Sequence, residues 1–237
     1  MQRIKGEIMN NEAHGNIEMV REEEFGASYR WQHWIRAVSI VVLTVTGFYI
    51  ADPFLAPAVN AEPTNFMQAL MRSWHVIFGF VLISAVIFKI YLFLFTKKSN
   101  IERSSLIDVF NPIVWAKQIG YYLLVSKHPK LNGVYNPVQF MAYLALYVMI
   151  LALIVTGLIL YVHVYHQGLG GALYDTMKSI EVMIGGLATV RTIHHILTWG
   201  IMLFVLGHVY MAVFNAVFGK EGGMDAIFSG LKWRKKD

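Results

Sequence analysis

Four stretches of this chain are apolar at nearly every position: roughly 31–52, 74–95, 138–163 and 192–217. At ~1.5 Å per residue, a helix of about twenty such residues crosses the ~30 Å hydrocarbon layer of a bilayer. No other segment is both long and apolar enough. The pattern predicts an all-α membrane protein, a bundle of four transmembrane helices within residues 29–219. Residues 111–127 read differently. Trp115, Ile119 and Tyr122 fall on one helical stripe with Lys117 and Gln118 off it, as in a helix lying on a membrane surface. Residues 1–28 contain Glu22, Glu23 and Glu24 and no apolar core, which predicts a flexible or surface-lying leader rather than a cleavable signal peptide. Residues 220–237 form a basic tail.

Composition agrees. Hydrophobic residues make up 56% of 237, and the mean hydropathy of +0.49 is too high for an ordinary soluble domain. The formal net charge of +5 is placed unevenly. Lys97, Lys98, Arg103, Lys117, Lys127 and Lys130 lie between the second and third spans, and Lys220, Lys232, Arg234, Lys235 and Lys236 lie in the tail. The other two connections hold only Arg72, Lys178 and Arg191. Basic residues stay on the cytoplasmic side, so the 96–135 connection and both termini are predicted inside. The charge is a topology signal and implies membrane lipid, not nucleic acid, as a partner.

The chemistry lies in the histidines. Fourteen positions separate His194 from His208 in the fourth span. At ~100° per residue the two rings share a helix face, ~21 Å apart along the axis. With this topology His33 starts the first span at the inner surface, and His75 starts the second at the outer surface. Depth therefore pairs His75 with His194 and His33 with His208. Two haem groups stacked across the membrane, each with two histidine axial ligands, fit this arrangement. His195 points to the opposite face from His208, and His14, His128, His163 and His166 read as interfacial hydrogen-bonding residues. A haem-free transporter using histidines as a proton relay is the competing class, and a reduced-minus-oxidised spectrum separates the two.

Arg30, Arg72 and Arg191 each stand three residues before a proposed ligand, on its helix face, and Arg36 is one turn beyond His33. Their guanidiniums suit bidentate pairing with haem propionates, or snorkelling to the membrane edge. Gly47, Gly79, Gly200 and Gly207 fall where a flat ring needs close approach, although small residues also serve helix packing. Lys89 is fourteen residues after His75; it either approaches the inner haem's depth or snorkels to the nearby inner surface. The chain has no cysteine. That excludes covalent c-type haem, iron–sulfur ligation and disulfides, leaving b-type haem. There is no phosphate-binding loop or nucleophile elbow.

Two runs carry a family resemblance. Arg30-Trp-Gln-His33-Trp34-Ile35, continuing through Ser39 to Thr46-Gly47, resembles the first-helix signature of nickel–iron hydrogenase b-type cytochrome subunits. Arg191-Thr-Ile-His194-His195-Ile-Leu-Thr-Trp199, followed by Phe204 and His208, resembles their fourth-helix signature. With the four-span plan the resemblance covers about residues 28–217; related formate dehydrogenase membrane subunits share the layout and offer the alternative. The resemblance implies a multi-pass subunit of the bacterial cytoplasmic (inner) membrane that anchors hydrogenase small (iron–sulfur) and large (nickel–iron) subunits. Hydrogen activation would belong to the partner. Electrons would enter at the outer haem, cross to the inner one and reduce quinone, menaquinone or ubiquinone.

For the quinone, Asn136, Gln139 and Tyr143 share one face at the cytoplasmic start of the third span. Their polar groups suit a quinone carbonyl, and the surface helix before them would roof the site. Asn136 before Pro137 also suits plain helix capping. Both readings stand at this level.

Overall fold

The computed structural model describes residues 19–23, 25–54, 66–123, 125–127, 129–218 and 223–235. His14, His128, most of the leader, and Lys220 and Lys236 of the tail lie outside the described residues. In chain order the elements are β1 (Met19–Glu23), α1 (Ala27–Ala51), α2 (Phe66–Phe95), a 3-10 turn (Lys97–Ser99), α3 (Asn100–Arg103), α4 (Ser105–Val109) and α5 (Pro112–Tyr122). They continue with α6 (Pro137–Val162), α7 (Leu169–Ile184), α8 (Leu187–Phe218), α9 (Gly223–Ser229) and β2 (Leu231–Lys235).

The helices α1, α2, α6 and α8 are long and apolar enough to cross a membrane, and the protein is a multi-pass membrane protein. Each begins before its predicted span. α2 begins at Phe66 because the turns carrying Gln68, Arg72 and Ser73 are helical although too polar for hydrocarbon. α6 starts sharply: Pro137 supplies the first helical φ, and Asn136 and Gln139 exchange hydrogen bonds in a capping box.

The chain divides into two compact units, residues 39–204 and a smaller unit of 1–38 with 205–237. In the larger, α7 packs on α6 through Met177 against Ile159 and Val162, with Val190 completing that core. No helix was expected there, because Asp175, Lys178 and Glu181 keep its hydrophobicity below that of a span. A helix, α5, forms within 111–127 as expected, but its buried face is not the expected stripe. Val114 and Gln118 are buried against α4 and α6, while Ile119 is exposed. The helix buries the face that meets its neighbours and leaves Ile113 and Ile119 outward. Between α5 and α6 the chain is held by the buried Asp108 carboxylate, which accepts from the Asn132 backbone N–H and side-chain amide at 2.8 and 2.7 Å.

In the smaller unit β1 pairs antiparallel with β2, Glu22 opposite Lys232 and Val20 opposite Arg234. Part of the expected flexible leader is thus a strand. β1 lacks the apolar alternation that marks a strand in sequence, and in β2 it is only Leu231 and Trp233 between basic residues; each becomes a strand by pairing its backbone with the other.

Candidate functional site

In the larger unit, α2 and α8 bring the rings of His75 and His194 together at a 60° angle, centroids 6.3 Å apart. Both line a cavity of about 850 Å³, counted to its open mouth, whose walls come from α1, α2, α6 and α8. Its lining is apolar, with Gly79 and Gly157 at the wall. Gly47 lies against His75: a Cβ there would stand 3.2 Å from His75 Cε1, tight enough to push the imidazole. Gly200 instead faces Met149, where a Cβ would come within 2.9 Å of the sulfur, so it serves helix contact.

In the smaller unit, His33 of α1 and His208 of α8 form a second pair at 6.2 Å. Imidazoles on opposite sides of one metal ion, each bonded at ~2.0–2.1 Å, have ring centroids roughly 6–6.5 Å apart. Both pairs have that spacing. Two histidines are too few donors for a bare metal ion, but a porphyrin supplies the other four, so the donor set fits haem. Among the described residues the buried Nδ1 of His33 has no hydrogen-bond partner.

The Nδ1 atoms of the other pair are occupied. His75 Nδ1 is 2.9 Å from Thr46 Oγ1, and His194 Nδ1 is 2.8 Å from Thr156 Oγ1. That leaves Nε2 of each ring as the nitrogen available to a metal. Sequence reasoning missed Thr156 and Gly157 and gave Thr46 no role. The available signal was the Thr-Gly dipeptide recurring at 46–47 and 156–157, once in the first span and once in the third.

The remaining candidates are spread more widely. Arg30 donates through Nη1 to the Phe228 carbonyl at 2.5 Å, and its buried Nε has no partner among the described residues. Arg36 Nε donates to the Gln32 carbonyl at 3.3 Å. Arg72 and Arg191 are exposed near the starts of α2 and α8. Asn136 and Gln139 meet in the capping box, and Asn136 also donates to Tyr122 Oη at 3.0 Å. Tyr143 stacks edge-on against Tyr135, centroids 5.0 Å apart. His195 is exposed and accepts from Trp199 Nε1 at 3.1 Å, away from the His75–His194 pair.

Lys89 corrects the snorkelling expectation. Its Nζ donates to both oxygens of the buried Glu102 carboxylate at 2.8 and 2.9 Å, because α3 presents an acid before the lysine reaches the surface. Tyr135 Oη donates to the same carboxylate at 2.9 Å. Removal from water, with the Glu102 charge beside it, pushes the Tyr135 hydroxyl well above its ordinary range and keeps it a donor. His163 is also engaged, its Nε2 2.5 Å from Glu181 Oε2, with Lys178 Nζ 3.0 Å from Oε1 of the same carboxylate.

The family pattern of prokaryotic cytochrome b561 matches residues 24–230, nearly the whole chain. The chain belongs to that family. It is therefore a membrane cytochrome b, and the group its histidines fit is haem b. The cytochrome is similar to the probable Ni/Fe-hydrogenase B-type cytochrome subunit of Azotobacter vinelandii, 28% identical over 90% of this chain and 89% of the relative. The corresponding protein of Rhodobacter capsulatus is 25% identical over 90% and 82%. The probable Ni/Fe-hydrogenase 1 B-type cytochrome subunit of Escherichia coli K12 is 25% identical over 89% and 90%.

Proposed function

We propose that this cytochrome b holds two haems and is the membrane-anchoring subunit of a nickel–iron hydrogenase, passing electrons from a periplasmic partner to quinone near the cytoplasmic side. The observation that carries the reading is the two histidine pairs, each spaced for one metal ion between the rings. His75 and His194 hold the outer group and His33 and His208 the inner one. A haem with histidine on both sides is a one-electron carrier with no open position for oxygen.

The other residues orient and neutralise. Arg30, Arg36, Arg72 and Arg191 offer guanidiniums to propionates at the two surfaces, where a charge-assisted pair is strongest if bidentate. Gly47 leaves room beside the outer ligand. At the quinone end, Asn136, Gln139 and Tyr143 supply polar groups on one face of α6. Capping uses Gln139 Oε1, and among the described residues no hydrogen bond is drawn to its Nε2, the donor a quinone carbonyl needs. Hydrogenase small and large subunits are the partners favoured by the relatives' names, over a formate dehydrogenase. Distribution of basic residues supports cytoplasmic termini, and the bacterial hydrogenase relatives favour an inner membrane.

The test is haem content of the purified chain. Two haems are expected, with His75→Ala or His194→Ala losing one and His33→Ala or His208→Ala losing the other. His195→Ala should keep both. Full content after any of the four ligand changes would sink the assignment.

A further inference from the structure

Thr46 and Thr156 stand in the same relation to two different histidines. Each lies in a spanning helix, and each meets the histidine near the start of the next spanning helix, Thr46 of α1 with His75 of α2 and Thr156 of α6 with His194 of α8. Both are buried, at 4% and 3% exposure. A threonine hydroxyl has one proton. Thr46 Oγ1 is 2.7 Å from the Val42 carbonyl and Thr156 Oγ1 is 2.8 Å from the Ala152 carbonyl, one turn earlier on their own helices. A carbonyl can only accept, so the proton lies there. Towards the histidine each threonine oxygen therefore accepts, and Nδ1 of each imidazole must carry the hydrogen. Nε2 is then unprotonated on both rings, the form that binds a metal.

We infer that Thr46 and Thr156 are paired positioning residues that fix the tautomers of His75 and His194 and lower the reduction potential of the haem between them. This rests on the two-haem reading. Donation of Nδ1–H to an oxygen makes Nε2 more electron-rich. A more basic ligand favours the ferric over the ferrous state, which lowers the potential. His33 has no such support: its Nδ1 is buried without a partner among the described residues. The threonines thus tune one of the two centres and leave the other alone.

The experiment is a redox titration of haem absorbance in the purified full chain, for Thr46→Val, Thr156→Val and the corresponding Ser variants. Valine keeps the shape and removes the acceptor; serine keeps the hydroxyl. Each Val variant should raise one of the two midpoints by at least a tenfold change in the ferric-to-ferrous ratio, about 59 mV for one electron, with the other midpoint unmoved. The Ser variants should return to the wild-type value. Two haems with unmoved midpoints in both Val variants would overturn the inference while leaving the dihaem reading intact. A single haem in the wild-type chain would overturn the dihaem reading itself. If a Val variant binds no haem at that site, its Ser partner decides: retention at the wild-type potential supports the hydroxyl, and loss there as well assigns the threonine to packing and overturns the inference.

Discussion

At the scale of single residues, Lys89 and Glu102 show how a charge is held in an apolar setting. Lys89 lies in a helix that crosses the membrane, and its ammonium is held by both oxygens of Glu102. Breaking a buried pair by removing one partner leaves an uncompensated charge and typically costs ~3–5 kcal/mol, whereas replacing both is often close to neutral. Glu102→Gln should therefore destabilise the purified protein strongly, and Lys89→Met added to it should recover much of the loss. Thermal unfolding in detergent measures this; a double variant as unstable as the sum of its singles would show that the two groups are not coupled. The acid was not legible beforehand. Glu102 lies thirteen residues beyond Lys89, after a turn whose direction no periodicity reports, so the lysine read alone pointed to the surface. The meeting of His75 with His194 and of His33 with His208 was legible because helical spacing and expected membrane depth both constrain them.

At the scale of elements, what could be read was what must cross the bilayer. The apolar runs yielded four helices, with ends displaced where polar turns continue the helix beyond the hydrocarbon. α7 escaped because its burial depends on α6, through Met177 against Ile159 and Val162, and no residue of α7 announces that partner. β1 and β2 escaped for a similar reason, each being a strand only beside the other. The α6–α7 contact carries its own pH dependence. Hydrogen bonds from His163 and Lys178 hold the Glu181 carboxyl below its usual range. A depressed folded-state value contributes stability above the ordinary carboxylate range near ~4.3, and that contribution is lost as pH falls through the depressed value. Amide protection across Leu169–Ile184, corrected for intrinsic exchange, should accordingly fall on acidification below that range. Glu181→Gln should exchange quickly at neutral pH already. Wild-type protection that stays flat through the acid range would remove Glu181 as the clasp.

At the scale of the whole molecule, the proposed function is a matter of direction. On the proposed reading, positive charge concentrated in the 96–135 connection and the tail would put those segments inside, and His75 and His194 would then belong to the periplasmic end where a dehydrogenase would dock. On the same reading His33 and His208 would hold the inner group, and quinone would be reduced near the cytoplasmic side. An electron carried inward moves against the membrane potential at ~2.3 kcal/mol per 100 mV, so quinone reduction with inner-side protons conserves energy. Hydrogen oxidation by quinone in sealed vesicles bearing the complete complex should generate a potential that an uncoupler abolishes. His208→Ala should leave one haem reducible by hydrogen and stop quinone reduction. Gln139→Leu should leave both haems reducible and slow only their reoxidation by quinone, and it serves to separate the quinone site from the haem path. Failure of haem reduction in Gln139→Leu would make that residue a structural cap alone. A His208→Ala protein that still reduced quinone at the normal rate, without building a potential, would move the quinone site to the outer side, and the electrical work assigned to the chain would go with it.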